Sequence, residues 1–498
     1  MQPEILHSLP LLMAVTGLML AAAALGTRVS TRAGIPTALA FIAVGMIAGT
    51  RMDIDDWRAG YDAAYAVGNV ALALILFYGG LSTDIRRTKG VWLPSITLAT
   101  VGVVGVSLVA GLAIHLAFPD LPWYGALMLG AVLGSTDAAS VLQILGGERI
   151  AGRVRETVEL ESGLNDPMAF VLVAAFARMA MGGSFEPGTI PQVAWELVAG
   201  AGIGLAIGWV SDLALAAFEE DSPEAYPVVT IALALLAYGA ASLAHASGLL
   251  AVFITALTLG NSADLPFRST IVRFHASLAN VAQIVMFFML GLLVEPAALL
   301  DPLALGGGVL VALVLAFVAR PAVVSAILLP FGYSRRETAA VAWLGLRGAV
   351  PVILMTIPLM MARTPDGLAE LEKALVLVFV CVIVGNVIPG STVRWVLRLL
   401  RLRLPSPPRP SAMIDMVTKT PLDTHMMMVV VQPGAPIEGK ELAEARIPGE
   451  ITVALLIRGA RTQRVRGDTR FEAGDEVAIS LPDRLVPIAR RMFGELHD

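Results

Sequence analysis

Charged residues are scarce in this sequence of 498 residues, where Asp, Glu, Lys and Arg make up 15% and apolar residues 56%. Soluble chains are about a quarter charged, so this composition excludes an ordinary soluble protein. Cys381 is the only cysteine, which excludes a disulfide framework and a thiolate metal cluster. No basic segment precedes the first apolar run, so a cleaved signal peptide is not expected. The net charge of −5 gives no reason to expect nucleic acid as a partner.

Long apolar runs are abundant instead, and the mean hydropathy is +0.76. A run of about 20 apolar residues is long enough for a helix to cross a bilayer. Windowed hydropathy predicts roughly thirteen such spans. We therefore predict an all-α polytopic membrane protein in contact with membrane lipid. The predicted spans are residues 9–26, 33–50, 63–82, 91–117, 122–145, 157–180, 192–217, 224–244, 247–260, 272–294, 303–329, 337–361 and 373–396.

Basic residues cluster in alternate loops between these spans. The positive-inside rule then places the amino terminus outside and the carboxyl terminus in the cytoplasm of a bacterial-type inner membrane. One acidic loop, Glu219 to Glu224, falls on the cytoplasmic side, but acidic residues weigh little in this rule. The basic clusters are Arg28 and Arg32; Arg86, Arg87 and Lys89; Arg149, Arg153 and Arg155; Arg268 and Arg273; Arg335 and Arg336; and Arg394, Arg398, Arg401 and Arg403.

The composition changes at a proline-rich stretch that begins at Pro405. We predict a transmembrane domain over 1–400, a linker over 401–412 and a small cytoplasmic α+β domain over 413–498. In the last of these, β-branched and apolar runs punctuated by Gly, Pro and charge predict strands at 426–431, 451–457 and 477–480. Short helices are predicted at 441–445 and 485–492.

Three predicted spans contain polar motifs at the depth of the bilayer core: Gly134–Asp137, Glu161–Pro167 and Gly345–Pro351. An ionisable group at that depth costs about 2.5–3.5 kcal/mol, so each of these motifs needs a functional or structural reason. In a helix, Ser162, Asn165 and Asp166 share one face, because they stand three and four residues apart. Glu161 lies on the flank of that face, four residues before Asn165.

Prolines and glycines interrupt two of these motifs. Pro167 and Pro351 have no backbone N–H, so the carbonyls of Gly163 and Arg347 are left free to bind an ion. A dehydrated alkali cation needs oxygen ligands, and the motifs supply carboxylate, hydroxyl, amide and carbonyl oxygens. The fifth and twelfth spans also occupy matching places in two halves of the chain around the seventh span. Interrupted segments in corresponding positions are typical of inverted-repeat transporters.

The same motifs carry a family resemblance. "STDAAS" at 135–140, "ESGLNDP" at 161–167 and "GLRGAVP" at 345–351 resemble those of the NhaP-type cation/proton antiporters. "FYGGLSTD" at 77–84 and "FFMLGLLV" at 287–294 are similar to further stretches of that family. Within it, the chain most resembles potassium/proton antiporters of the cell volume regulation type. "APIEGKELAEARIP" at 435–448 and "FEAGDEVAISL" at 471–481 resemble the C-terminal lobe of RCK (TrkA-type) regulatory domains.

The resemblance implies inverted repeats with broken, crossing helices, a homodimer, and a role for each matching residue. It assigns alternating binding of cation and proton to Asp166, and it associates Asn165 with electroneutral exchange. It places the Thr136–Asp137 pair at the crossing of two unwound helices. The full implied site for cation and proton is Asp166, Asp137, Thr136, Glu161, Ser162 and Asn165, with the monovalent cation at Asp166, Asp137, Glu161 and Ser162, and with Arg347 balancing charge.

Several alternatives stay open at this point. Glu161 is either a cation ligand or a fixed salt-bridge partner of Arg347 or Arg320, and Arg320 itself is interpreted as a charge-balancing member of an ion pair. K⁺/H⁺ exchange is favoured over Na⁺/H⁺ exchange solely because of the RCK-like segment. A gated potassium channel is the runner-up, although no TVGYG-like filter is present. Since no hydrolase motif is evident, an enzyme is not expected. No cofactor is expected, and a nucleotide ligand of the RCK-like domain is left open.

Overall fold

The structure is a computed structural model that describes residues 17, 38–50, 57–137, 149–150, 152–182, 188–217, 222–262, 265–362, 364–404, 424–459 and 461–495. Apart from residue 17, the predicted first span, 9–26, lies outside these residues, and so does most of the predicted linker. The chain divides into two compact units. The larger comprises Met1–Leu213, Val228–Ser262 and Phe274–Arg403, and the smaller comprises Ala214–Pro227, Ala263–Arg273 and Leu404–Asp498.

Helices make up the membrane region. Among the described residues, seven helices are long and apolar enough to cross a membrane, and four shorter apolar helices accompany them. Helix α5 is also long, with 27 residues, but it carries the polar motif around Asp166. The helices are α1 Ala38–Gly49, α2 Trp57–Ser82, α3 Trp92–Ala117, α4 Trp123–Val132, α5 Val154–Ala180, α6 Thr189–Ala217, α7 Ala225–Leu243, α8 Gly248–Gly260, α9 Arg268–Leu292, α10 Pro302–Leu328, α11 Arg335–Trp343, α12 Val350–Met361 and α13 Pro365–Leu399.

Most predicted spans are confirmed to within a few residues, and two differ in an informative way. Within the predicted span 122–145, α4 ends at Val132 and residues 133–137 are not helical, while residues 138–145 lie outside the described part of the chain. The predicted span 337–361 is split into α11 and α12 by the non-helical residues 344–349. Pro351 lies in the first turn of α12, where its missing N–H costs no helical hydrogen bond. The expected broken helices are therefore present.

Glycines bring helix backbones into direct contact. A side chain at Gly130 in α4 would collide with the backbone of α3 at Ser107 and Gly111. A side chain at Gly45 in α1 would likewise collide with the backbone of α9 at Phe288. Small residues at helix interfaces are the usual means of close packing in lipid, where no hydrophobic driving force acts between helices.

The carboxyl-terminal region contains an antiparallel sheet of four strands, which lie side by side in the order β3 (Thr424–Val430), β6 (Glu476–Pro482), β4 (Thr452–Arg458) and β5 (Arg461–Gln463). Its core contains Phe471, Val477, Ile479 and Phe493, all fully buried. The strands are followed by helix α14, Val486–Met492; the two short strands earlier in the chain are β1 Arg149–Ile150 and β2 Arg403–Leu404.

Three of these strands and the last helix match the predicted ranges closely. The helix predicted at 441–445 is wrong, because the segment forms turns, and Glu441 makes a bridge to Arg470. Backbone bonds from Leu442 N to Thr469 O and from Ala443 N to Gly467 O bind the segment to a distant part of the chain. Those tertiary bonds replace the local ones that a single helical turn would have made.

Candidate ion-binding site

Two non-helical segments cross in the membrane unit: residues 134–137, which follow α4, and residues 344–349, which lie between α11 and α12. The backbone N–H of Asp137 donates to the carbonyl of Leu346 at 2.8 Å. A methyl group at Gly348 would collide with the Asp137 carboxylate, so only glycine lets the two segments approach this closely. Backbone N–H and carbonyl groups in a non-helical segment have no helical hydrogen bonds. At membrane depth such a segment is tolerated only where other parts of the protein supply the missing partners.

Two polar side chains of helix α5, Ser162 and Asn165, bond to Thr136 in the crossing. The hydroxyls of Thr136 and Ser162 share a hydrogen bond of 3.1 Å. The Asn165 side-chain nitrogen donates to Thr136 Oγ1 at 2.6 Å. All three side chains are buried. Helix α5 remains helical through Pro167, so its predicted face of Ser162, Asn165 and Asp166 is kept intact and is joined to the crossing through Thr136.

Several oxygens at this place have no hydrogen-bond partner among the described residues. They are Asp166 Oδ1, Asn165 Oδ1 and Ser135 Oγ, each of them buried. Asp166 is 5% exposed, and Asp137 lies close enough for direct charge–charge repulsion with it. A buried polar oxygen without a partner costs about 1–3 kcal/mol, and a bare carboxylate more. A proton or a cation at Asp166 would relieve that cost.

Glu161 has a different environment from its neighbours. Its two oxygens accept from Arg320 of α10, at 2.7 Å from Nη1 and 2.9 Å from Nη2. Glu161 is 1% exposed and Arg320 is 3% exposed. Of the partners considered for Glu161 from the sequence, the structure selects Arg320. Both carboxylate oxygens are engaged in this ion pair, so neither is free in the way that Asp166 Oδ1 is.

Arg347 lies in the crossing itself and bonds to backbone rather than to a carboxylate. Its Nε donates to the carbonyl of Leu133 at 3.2 Å, and its Nη1 donates to the carbonyl of Gly345 at 2.9 Å. These carbonyls are at or just beyond the carboxyl ends of α4 and α11, where a positive charge is favourable. Arg347 is also within electrostatic range of Arg320 and Glu161.

The structure adds Asn386 of α13, which sequence reasoning missed. Its side-chain nitrogen donates to the carbonyl of Arg347, and it is buried. The sequence predicted that this carbonyl is free to bind an ion, and in the structure Asn386 satisfies it instead. A single amide in an otherwise apolar span was the available signal, because polar side chains inside the membrane are rarely without a partner.

The protein is thus a polytopic membrane protein with an acidic site at the crossing of two broken helices. Residues 18–399 match the family described as "Sodium/hydrogen exchanger, transmembrane", and residues 426–494 match the TrkA-C domain. The first match covers well over half of the chain, and the chain belongs to the sodium/hydrogen exchanger family.

Named relatives cover nearly the whole chain. It is 31% identical over 490 residues to "K(+)/H(+) antiporter NhaP2" of Shewanella baltica (strain OS223), a match of 97% of this chain and 82% of that protein. It is 33% identical over 479 residues to "K(+)/H(+) antiporter NhaP" of Alkalimonas amylolytica, covering 95% of this chain and 82% of that one. The fold is similar to the solved structure of the sodium proton antiporter MjNhaP1 from Methanocaldococcus jannaschii at pH 8, with a TM-score of 0.64 and 22% identity over 78% of this chain and 98% of that chain.

Proposed function

We propose that this protein is an electroneutral antiporter that exchanges one monovalent cation, K⁺ in preference to Na⁺, for one proton. The observation that carries the proposal is the buried, unpartnered carboxylate oxygen of Asp166. It lies beside Asp137 and beside the linked side chains of Thr136, Ser162 and Asn165. The names of the relatives, which specify K⁺/H⁺ antiport, support the choice of K⁺.

The mechanism follows from charge at membrane depth. A proton and a cation compete for Asp166, and whichever is bound neutralises the carboxylate. The bare carboxylate costs about 2.5–3.5 kcal/mol or more at that depth, so the site crosses the membrane readily only when it is occupied. Exchange is therefore obligatory without a separate coupling device. Asn165 cannot titrate, so one proton balances one cation.

The cation ligands in this proposal are Asp166, Asp137, Thr136, Ser162 and Asn165. Glu161 is assigned instead to the ion pair with Arg320, because both of its oxygens are engaged there. Arg347 offsets negative charge near the crossing while it binds the ends of α4 and α11.

The wider setting is also a proposal. We place the protein in a bacterial inner membrane, with the amino terminus outside and the carboxyl terminus in the cytoplasm, as a homodimer embedded in lipid. We keep the division into a transmembrane domain over 1–400, a linker over 401–412 and a cytoplasmic domain over 413–498. The last domain regulates exchange, with or without a nucleotide ligand, and exchange itself uses no cofactor.

Exchange in liposomes tests this function. The purified protein is reconstituted with a pH-sensitive dye, a pH gradient is imposed, and K⁺ or Na⁺ is added in turn. Dequenching on addition of K⁺ that is unchanged by clamping the membrane potential is the expected result, and Asp166→Asn should abolish it. Residual exchange in Asp166→Asn would refute the single-site mechanism. A response to Na⁺ alone would change the ion, and K⁺ flux under a voltage without proton movement would indicate a channel.

A further inference from the structure

Helix α2 packs against α8, α12 and the site-bearing helix α5, and it runs antiparallel to α5. The single helical turn that follows α2, Ile85–Thr88, packs against α5. At the start of α3, Ser95 Oγ donates to the carbonyl of Thr157, in the first turn of α5. The end of α2 and the beginning of α5 therefore lie at the same membrane surface. Further along, the rings of Tyr65 and Phe170 contact each other with centroids 6.4 Å apart.

This contact fixes the depth of Asn69. Asn69 lies four residues after Tyr65 on α2, and Asp166 lies four residues before Phe170 on α5. Since each residue advances a helix by about 1.5 Å, both positions are about 6 Å from the ring contact in the same direction. Asn69 also shares the helix face of Tyr65, because residues four apart lie one above the other. Asn69 therefore lies on the side of α2 that carries Tyr65, within about one helical turn of the level of Asp166.

Gly68, the residue before Asn69 on α2, lies close to a helix that adjoins the crossing. A methyl group at Gly68 would come within 2.8 Å of Ile353 Cδ1. Ile353 belongs to α12, which begins directly after the non-helical segment that crosses Asp137. Helix α2 therefore packs against both α5 and α12, the helices on either side of the crossing in this part of the membrane unit.

The side chain of Asn69 carries a buried oxygen with no partner. Its nitrogen donates to the carbonyl of Tyr65 at 2.9 Å, and the Tyr65 phenol also lies near this amide group. The bond to a carbonyl defines which end of the amide is nitrogen, since an oxygen there would be repelled. Asn69 is 4% exposed, and its Oδ1 has no hydrogen-bond partner among the described residues.

We propose that Asn69 of α2 is a neutral ligand of the transported cation that Asp166 binds. This rests on the proposed exchange function. A proton needs only the Asp166 carboxylate, whereas a dehydrated alkali cation needs several oxygens around it. Asn69 Oδ1 adds one oxygen without adding charge, so it strengthens cation binding and leaves the one-for-one exchange electroneutral. Asn69 therefore sets the affinity for the cation relative to the proton.

Asn69→Ala tests the assignment, with K⁺ as the probe. Its matched control is Ser211→Ala, which removes another buried side chain that donates to a backbone carbonyl four residues earlier, on α6. In Asn69→Ala we expect the K⁺ concentration for half-maximal exchange to rise about three- to tenfold, as for one lost polar contact. The maximal rate and the proton dependence at saturating K⁺ should stay within about twofold of wild type. Ser211→Ala should leave all of these values unchanged.

A second readout, stabilisation of the detergent-purified protein by K⁺ against thermal unfolding, does not depend on transport. It should be weaker in Asn69→Ala. If Asn69→Ala fails to fold, Asn69→Ser keeps a hydroxyl that can donate to the Tyr65 carbonyl but is too short to place an oxygen where Asn69 Oδ1 lies, so it should show the same change in half-saturation. Asn69→Asp adds a further titratable carboxylate to the site that already holds Asp166 and Asp137, so its exchange should become sensitive to the membrane potential.

The outcomes separate the two proposals. Unchanged K⁺ half-saturation in an active Asn69→Ala overturns the ligand role and leaves antiport intact. Equal losses in Asn69→Ala and Ser211→Ala also overturn it, because they indicate a general packing defect. A wild-type protein that binds K⁺ through Asn69 but does not exchange it refutes antiport alone. A wild-type protein without exchange or K⁺-dependent stabilisation refutes both.

Discussion

The ion pair between Glu161 and Arg320 allows a sharp test of how the site is built. Both side chains are almost fully removed from solvent, and two parallel hydrogen bonds of 2.7 and 2.9 Å join them. The guanidinium also lies against the crossing, since a side chain at Gly345 would collide with it. Glu161→Gln or Arg320→Gln alone leaves one buried charge without its partner.

The expected magnitude follows from that burial. Removing one member of a buried pair costs about 3–5 kcal/mol, whereas removing both charges together is often close to neutral. We therefore expect both single variants to be strongly destabilised. The double variant Glu161→Gln with Arg320→Gln should recover most of the loss, because the two amides can bond to each other. The resulting coupling free energy should be about 3 kcal/mol or more.

Thermal unfolding in detergent measures the stability, and exchange in liposomes measures the function of the same four proteins. If Glu161 acts only through its ion pair, the double variant regains exchange together with stability. A double variant that is stable but inactive would return Glu161 to the set of cation ligands. Two single variants as stable as wild type would refute the reasoning, since they would show that the buried pair contributes nothing.

Three other predictions concern the crossing of the two non-helical segments, the competition between protons and K⁺ for Asp166, and the carboxyl-terminal region. Gly348→Ala should reduce exchange at least about tenfold by displacing Asp137, as expected for a misplaced site, whereas Gly306→Ala, with open space around it, should be neutral in the same assay. Lowering the pH should raise the K⁺ concentration for half-maximal exchange without lowering the maximal rate, because protons and K⁺ compete for Asp166; a fall in maximal rate alone would contradict this. Truncation after Pro405 should change the pH or ion dependence of exchange but not abolish it, and a truncated protein that inserts but is inactive would show that the domain does more than regulate.

The sequence was sufficient to predict where the membrane helices lie, because an apolar run of about 20 residues with few charges is typical of a membrane-spanning helix. It also marked both interruptions through Gly134, Gly345 and Pro351. The extent of the breaks was not predictable, since it depends on the bond between Asp137 and Leu346, two residues that are distant in the chain.

The partner of Glu161 was unpredictable for the same reason. Arg320 and Arg347 were both plausible from composition, and only the packing of α10 beside α5 separates them. Asn69 and Asn386 were overlooked because a single amide side chain in an apolar helix belongs to no sequence motif. Its role depends on which groups of other helices lie next to it, and the sequence does not show these. In the carboxyl-terminal sheet, β5 was missed because its residues, Arg461–Gln463, are polar and exposed and carry no alternating apolar signal.

The bond from Arg347 to the carbonyl of Leu133 also has a consequence for biogenesis. The two residues are 214 positions apart in the chain. At a synthesis rate of about 5–20 residues per second, the end of α4 would emerge roughly 10–40 seconds before the arginine that binds it. During that interval Asp137 and the open end of α4 lack the partners that the second half of the chain supplies. Until the second half arrives, the carbonyl of Leu133 and the N–H of Asp137 lack the partners that they have in the folded protein, and each unsatisfied backbone group in lipid costs several kcal/mol.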